Sequence, residues 1–185
     1  MKTLYLVLTR STSMVSRLIH YATDADYTHI SLAFDKELNH LYSSGRKNGR
    51  TMFPAGPCRE SFGNDFYSNS GRVPCKVYEL PVSDEVYELA KQEVDEILKN
   101  ADEYHYNIIG LLLCRMQISL NREHHFFCSQ FVSEVLKRSN ALNLPKASSL
   151  MSPCDYTKMP ELKCCFEGYI DELPACRAIR KTATA

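Results

Sequence analysis

The stretch Arg122–Leu136, REHHFFCSQFVSEVL, sets one cysteine, Cys128, behind two histidines and two phenylalanines where an amphipathic helix begins. Phe127, Phe131 and Val135, with the neighbouring Val132 and Leu136, recur at helical spacing and form its apolar stripe. Cys128 falls at the margin of that stripe, in the first turn. Two readings follow. Cysteine is among the most buried residue types, and beside Phe and Val it serves as packing. The other reading is chemical: unpaired N–H groups and the positive end of the helix dipole stabilise an anion in a first turn, which favours a thiolate. The same groups could receive an oxyanion on a substrate carbonyl. The local pattern leaves both open.

The rest of the chain has the composition of a soluble globule, and 185 residues suit a single domain spanning 1–185, with a tail after about residue 180 expected to be disordered. Lysine plus arginine equal aspartate plus glutamate at 22 each, so no global field recruits nucleic acid or acidic lipid. The opening MKTLYLVLTRSTS lacks the longer apolar region of a signal peptide, and NIIGLLLCRM is short of the roughly 18 apolar residues of a membrane span. A cytoplasmic protein without a transmembrane segment is therefore expected. The cysteines lie at 58, 75, 114, 128, 154, 164, 165 and 176, with no C-x-x-C pair. That spacing gives no expectation of structural zinc, the lack of a secretory signal disfavours a disulfide framework, and no metal or cofactor is implied. In Cys164-Cys165 one side chain is expected to face the core and the other solvent.

Along the chain, TLYLVLT (3–9) reads as a buried strand and STSMVSRLIHYAT (11–23) as a helix. YTHISLAFD and HLYSSGR read as a hairpin turning at Asp35–Asn39. The glycine- and proline-rich run from GRKNGRTMFPAGPC to DFYSNSGR reads as a long irregular excursion. VPCKVYELP is a further strand, and Ser83 caps the helix DEVYELAKQEVDEILKN. YHYNIIGLLLCRMQISL is expected to be a second, buried helix, followed by the Cys128 helix and a closing strand in KCCFEGYIDEL. Strands and helices come in segregated runs, which indicates α+β rather than a parallel βαβ sheet.

A nucleophilic cysteine needs a base. His29, about a hundred residues upstream on a strand face shared with Ser31 and Ala33, fits the pattern of sequence-distant Cys/His pairs. By alternation alone it reads rather as a hydrogen-bonded structural histidine. His124 and His125 precede the helix and read as hydrating or capping its entrance. Arg46, Lys47, Arg50 and Arg59 make a basic loop that is either a soluble turn or a contact for a substrate carboxylate or phosphate.

DYTHISLAFD, HLYSSGR, YHYNIIGLL and FFCSQFVSEVL, in that order, resemble the circularly permuted NlpC/P60 group of papain-fold proteins, which includes YiiX-like proteins. Lecithin–retinol acyltransferase-type enzymes are more distant relatives of that group. The resemblance runs from about Leu4 to Leu173 and implies an antiparallel sheet or small barrel packed against a helical lobe. It puts His29 at the family's histidine position and Cys128 at its nucleophile. The third polar residue, which orients the histidine, would be Ser43 in HLYSSGR, with Glu60 in the long loop as the alternative; Tyr27 is a candidate side-chain donor to the oxyanion hole. The implied activity is hydrolysis of an amide or ester in a small, peptide or lipid-like substrate through an acyl-enzyme. The alternatives are an acyltransferase on the same site, and a binding module of the same fold that has lost turnover.

Overall fold

The computed structural model describes residues 1–10, 25–47, 54–62 and 72–173. The helix expected over 11–23 lies outside the described residues, as do Arg50, Cys176 and the tail.

Strand β1 (Lys2–Thr9) shows why its sequence is apolar on both faces. Leu4, Leu6 and Leu8 point to one side and Tyr5 and Val7 to the other, and all are buried. A strand covered on both faces reads as a continuous apolar run. It lies between β2 (His29–Ala33) and β5 (Pro74–Val82), with Thr9 opposite both His29 and Cys75. Strands β3 (Leu41–Arg46), β4 (Ala55–Glu60) and β8 (Lys163–Tyr169) complete an antiparallel six-stranded sheet in the order β4-β3-β2-β1-β5-β8. Two short strands, β6 (His105–Tyr106) and β7 (His125–Phe126), form a separate parallel pair.

Helices α1 (Asp84–Lys99) and α3 (Cys128–Arg138) cover the face carrying Leu4, Leu6, Leu8, Ile30 and Leu32. Ala90, Val94 and Ile97 of α1 and Phe131, Val132, Val135 and Leu136 of α3 are buried in that cluster. Each large aliphatic or aromatic side chain so buried stabilises the fold by about 1.5–3 kcal/mol. The opposite face holds a second cluster built on Tyr5, Val7, Ala33, Leu41 and Val77. Helices α2 (Ile108–Arg115) and α4 (Pro153–Tyr156) complete the described helices. The architecture is α+β, with the helices segregated from an antiparallel sheet.

Three expectations need correction. The irregular excursion contains β4, whose pairing with β3 runs from Leu41↔Glu60 to Arg46↔Ala55. Helix α2 is not buried: only Gly110 and Cys114 are, while Ile108, Ile109 and Leu112 face outward. Neither Cys164 nor Cys165 enters the core, because β8 is an edge strand with its first three residues exposed. No helix among the described residues is long and apolar enough to cross a membrane.

Candidate active site

Helix α3 begins without a side-chain cap. Phe127 is the N-cap residue, with extended backbone (φ −100, ψ 171), and its ring accepts nothing from the first turn. The first turn holds no acidic residue. What fixes the helix is packing and its hydroxyls: Ser129 Oγ donates to the Met151 carbonyl at 2.7 Å, and Ser133 and the Tyr156 hydroxyl share a hydrogen bond of 2.6 Å. Cys128, the first helical residue, is 2% exposed, and its sulfur lies 4.0 Å from the Thr28 carbonyl. The start of α3 therefore meets the entrance of β2, one residue before His29.

His29 opens β2 and is buried. Its Nε2 is 3.1 Å from each carboxylate oxygen of Glu60, the last residue of β4. Ser31, on the same strand face, donates to Glu60 Oε2 at 2.9 Å and has its hydroxyl 3.2 Å from His29 Nε2. Glu60 is buried too, so the pair is desolvated and carries the full burden of its mutual attraction. Room for it comes from Gly45 on the intervening strand. A Cβ at position 45 would stand 3.0 Å from Glu60 Oε1 and 3.7 Å from the His29 ring.

The imidazole answers to opposing forces. Burial by itself disfavours its charged form; the Glu60 carboxylate and the hydrogen-bonding Cys128 thiol favour it, and the net result is a pKa raised to about 10. The ring is thus an imidazolium at neutral pH.

Of the residues proposed from sequence, the structure brings together Cys128, His29 and Glu60. Ser43 is elsewhere: its hydroxyl donates to the Ile30 carbonyl at 2.8 Å and is spent on the β2–β3 junction. Its side chain carries a backbone acceptor, not the imidazole. Tyr27 also points away, its hydroxyl donating to Glu167 on β8 at 3.4 Å. Burial and the Glu167 charge push that phenol up to about 12. Lys47 bonds the Ala101 carbonyl at 3.0 Å, and Arg59 pairs with His40, so these two basic residues tie loops together. His124 and His125 cap nothing; His125 belongs to β7, and its ring packs 5.3 Å from that of His105.

Two neighbours stand out that motif reading did not weigh as site residues. Ser31 was visible only as a strand-face companion of His29. Tyr106, on β6, has its phenol raised well above the ordinary range by burial first, and then by charges at Cys128, Glu60 and Cys58. No sequence signal marked it, since its position depends on the β6–β7 pairing of residues twenty apart. A shallow cavity lined by Lys137, Asn140, Leu142 and Lys146 lies at the other end of α3, away from Cys128.

The arrangement sets a buried sulfur, an imidazole and a buried carboxylate beside the start of α3, which has no side-chain cap. Comparison with protein-family models, with curated proteins and with solved structures found no match for this chain.

Proposed function

We propose that this chain is a papain-like cysteine hydrolase of the permuted NlpC/P60 kind, cleaving an amide or ester. The observation that carries the reading is the His29 ring held between the Glu60 carboxylate and the Cys128 thiol. The sulfur attacks the carbonyl carbon, a C–S bond forms, and the carbonyl electrons move onto oxygen. First-turn N–H groups of α3 receive that oxyanion. His29 gives its proton to the leaving amine or alcohol as the scissile bond breaks, leaving an acyl-Cys128. The neutral ring then takes a proton from water as the water attacks the thioester, and the thiolate departs with the carboxylic acid released. Glu60 holds the ring in place and stabilises its charge throughout.

Burial favours a second reading. Cys128 is 2% exposed, as expected for a polar cluster retained in the core of a binding module. Iodoacetamide labelling at neutral pH, followed by peptide mass spectrometry, separates the two, because Cys164 is an exposed free thiol in the same molecule. The hydrolase reading expects Cys128 to label faster than Cys164 despite its burial, and the Cys128→Ala chain to lose that label alone. Labelling slower than Cys164 would make the cluster a silent one. Product analysis with an added amine or lysolipid acceptor separates hydrolysis from acyl transfer, a variant that keeps the same residues in the same roles.

A further inference from the structure

The proton between His29 and Glu60 has two places to sit. On the ring it leaves a buried imidazolium beside a buried carboxylate; on the acid it leaves two neutral groups. Burial favours the neutral arrangement, since it takes water from both charges. The choice then rests on which hydrogen bonds each oxygen and nitrogen can make in each arrangement.

Ser31 weighs on that choice from both sides. It is 1% exposed and follows His29 by two residues, on the same face of β2. Its hydroxyl donates to Glu60 Oε2 at 2.9 Å, and its oxygen stands 3.2 Å from His29 Nε2. A hydroxyl has one hydrogen. With that hydrogen on Glu60, the Ser31 oxygen can only accept at Nε2, which requires Nε2 to carry a hydrogen. Three oxygens, two of Glu60 at 3.1 Å and that of Ser31 at 3.2 Å, then surround one N–H. With the proton on Glu60 instead, the lone pair of Nε2 would face the lone pairs of Ser31. The bond that Ser31 donates also favours the ionised acid, since a charged acceptor makes a hydrogen bond roughly twice as strong as a neutral one. Among the described residues, the hydrogen bonds that reach this carboxylate come from the His29 ring and the Ser31 hydroxyl. Cys58, also on β4, sends its hydrogen to the Arg46 carbonyl at 3.7 Å, and burial with the Glu60 charge keeps it a neutral thiol. Tyr106 on β6 is kept neutral by burial first, then by charges at Cys128, Glu60 and Cys58. Glu60 Oε1 is bounded by Gly45, where a Cβ would stand 3.0 Å away, so Oε2 is the oxygen left for a side chain to hold.

We propose that Ser31 is a positioning residue of this pair: its hydroxyl turns the Glu60 carboxylate onto the ring and keeps the shared proton on His29 Nε2. The consequence for Cys128 rests on the hydrolase reading; the placement of the proton does not.

The test is NMR of the His29 ring nitrogens in the full chain at neutral pH, with Ser31→Ala, Ser31→Thr and Ser43→Ala beside the parent. The parent should show a hydrogen on Nε2. Ser31→Ala should shift the proton toward Glu60 by about tenfold, read as a displaced, partly deprotonated Nε2 signal. Ser31→Thr keeps the hydroxyl and should restore the parental signal. Ser43→Ala removes a buried hydroxyl that serves the Ile30 carbonyl and should leave the signal unmoved. Circular dichroism of each variant establishes that it is folded. Labelling of Cys128 should follow the ring, falling about tenfold in Ser31→Ala and recovering in Ser31→Thr. A parental Nε2 without a hydrogen overturns the proposal. So does a parental Nε2 signal in folded Ser31→Ala, or a change that folded Ser31→Thr does not reverse. Where the parent's Cys128 labels more slowly than Cys164, the hydrolase reading falls, and the Nε2 signal still decides the role of Ser31.

Discussion

Helices α1 and α3 pack in the same hydrophobic cluster and end alike, with Lys99 in the last turn of one and Lys137 and Arg138 in the last turn of the other. They begin in opposite ways. At the start of α1 the Ser83 hydroxyl accepts from the Val86 N–H at 3.2 Å, and Asp84 and Glu85 lie against the positive end of the dipole. At the start of α3 stand Phe127 and Cys128, with no side-chain cap and no acid. One helix spends its first-turn donors on itself. The other holds its position through buried Phe127, Phe131, Val132, Val135 and Leu136, with no side chain on those donors. The difference separates a helix start that carries its own cap from one held by packing.

The largest expected effect comes from the carboxylate that gives the α3 start its charged partner. Glu60→Gln keeps the shape and removes the charge. The burial that disfavours the charged imidazole is then weakly opposed, so the His29 titration, followed by NMR, should move down from about 10. Neutral-pH labelling of Cys128 should fall by about 10²-fold or more. Stability should follow the same proton. In the parent chain the folded state holds a proton on His29 that an unfolded chain releases around 6.5, so this contribution is complete below pH 6.5 and is lost as pH rises to about 10. Denaturant unfolding across that window should show parental stability declining with pH, and a flatter dependence in Glu60→Gln. An imidazole midpoint that does not move would remove Glu60 from the site.

Much of this was legible beforehand, for physical reasons that differ by residue. The continuous apolar run in KTLYLVLT and the alternation in HISLA mark strands because both patterns are short and local. Ser83 before an acidic turn announces a cap, and Phe127, Phe131 and Val135 announce the helix that Cys128 opens. His29 and Cys128 could be paired only by a pattern of roles, since a hundred residues separate them. Glu60 looked like a loop residue because AGPCRE carries Gly56 and Pro57. A proline is tolerated there because β4 is an edge strand, and an edge depends on strand order, which no local window contains. The choice between Ser43 and Glu60 was likewise made by the register of β3 on β4. The exposure of α2 escaped because hydropathy gives no direction: its inward face is written in Gly110 and Cys114, the least conspicuous of its apolar residues.

Ser43→Ala sharpens the same contrast with a smaller effect. Removing that hydroxyl takes one hydrogen bond from the buried Ile30 carbonyl and should cost about 1–2 kcal/mol in urea unfolding. Labelling of Cys128 and the His29 titration should stay at parental values, because the lost donor faces backbone and not the ring. A fall in labelling as large as that of Glu60→Gln would return the orienting role to Ser43.

The smallest effect tests α1 itself. Ser83→Ala removes the acceptor of the Val86 N–H and should lower stability by about 1 kcal/mol, read as an earlier urea midpoint with an unchanged slope. Asp84 and Glu85 still oppose the dipole in that variant, so α1 should keep its length and its packing through Ala90, Val94 and Ile97. Cys128 should then label at the parental rate under native conditions. That outcome follows only if the two helix starts are energetically separate, α1 drawing on its cap and α3 on the sheet and the His29–Glu60 pair. A matching loss of Cys128 reactivity in the still-folded Ser83→Ala chain would mean that the α1 start helps to position the sulfur, and the division of labour between the two helices would be wrong.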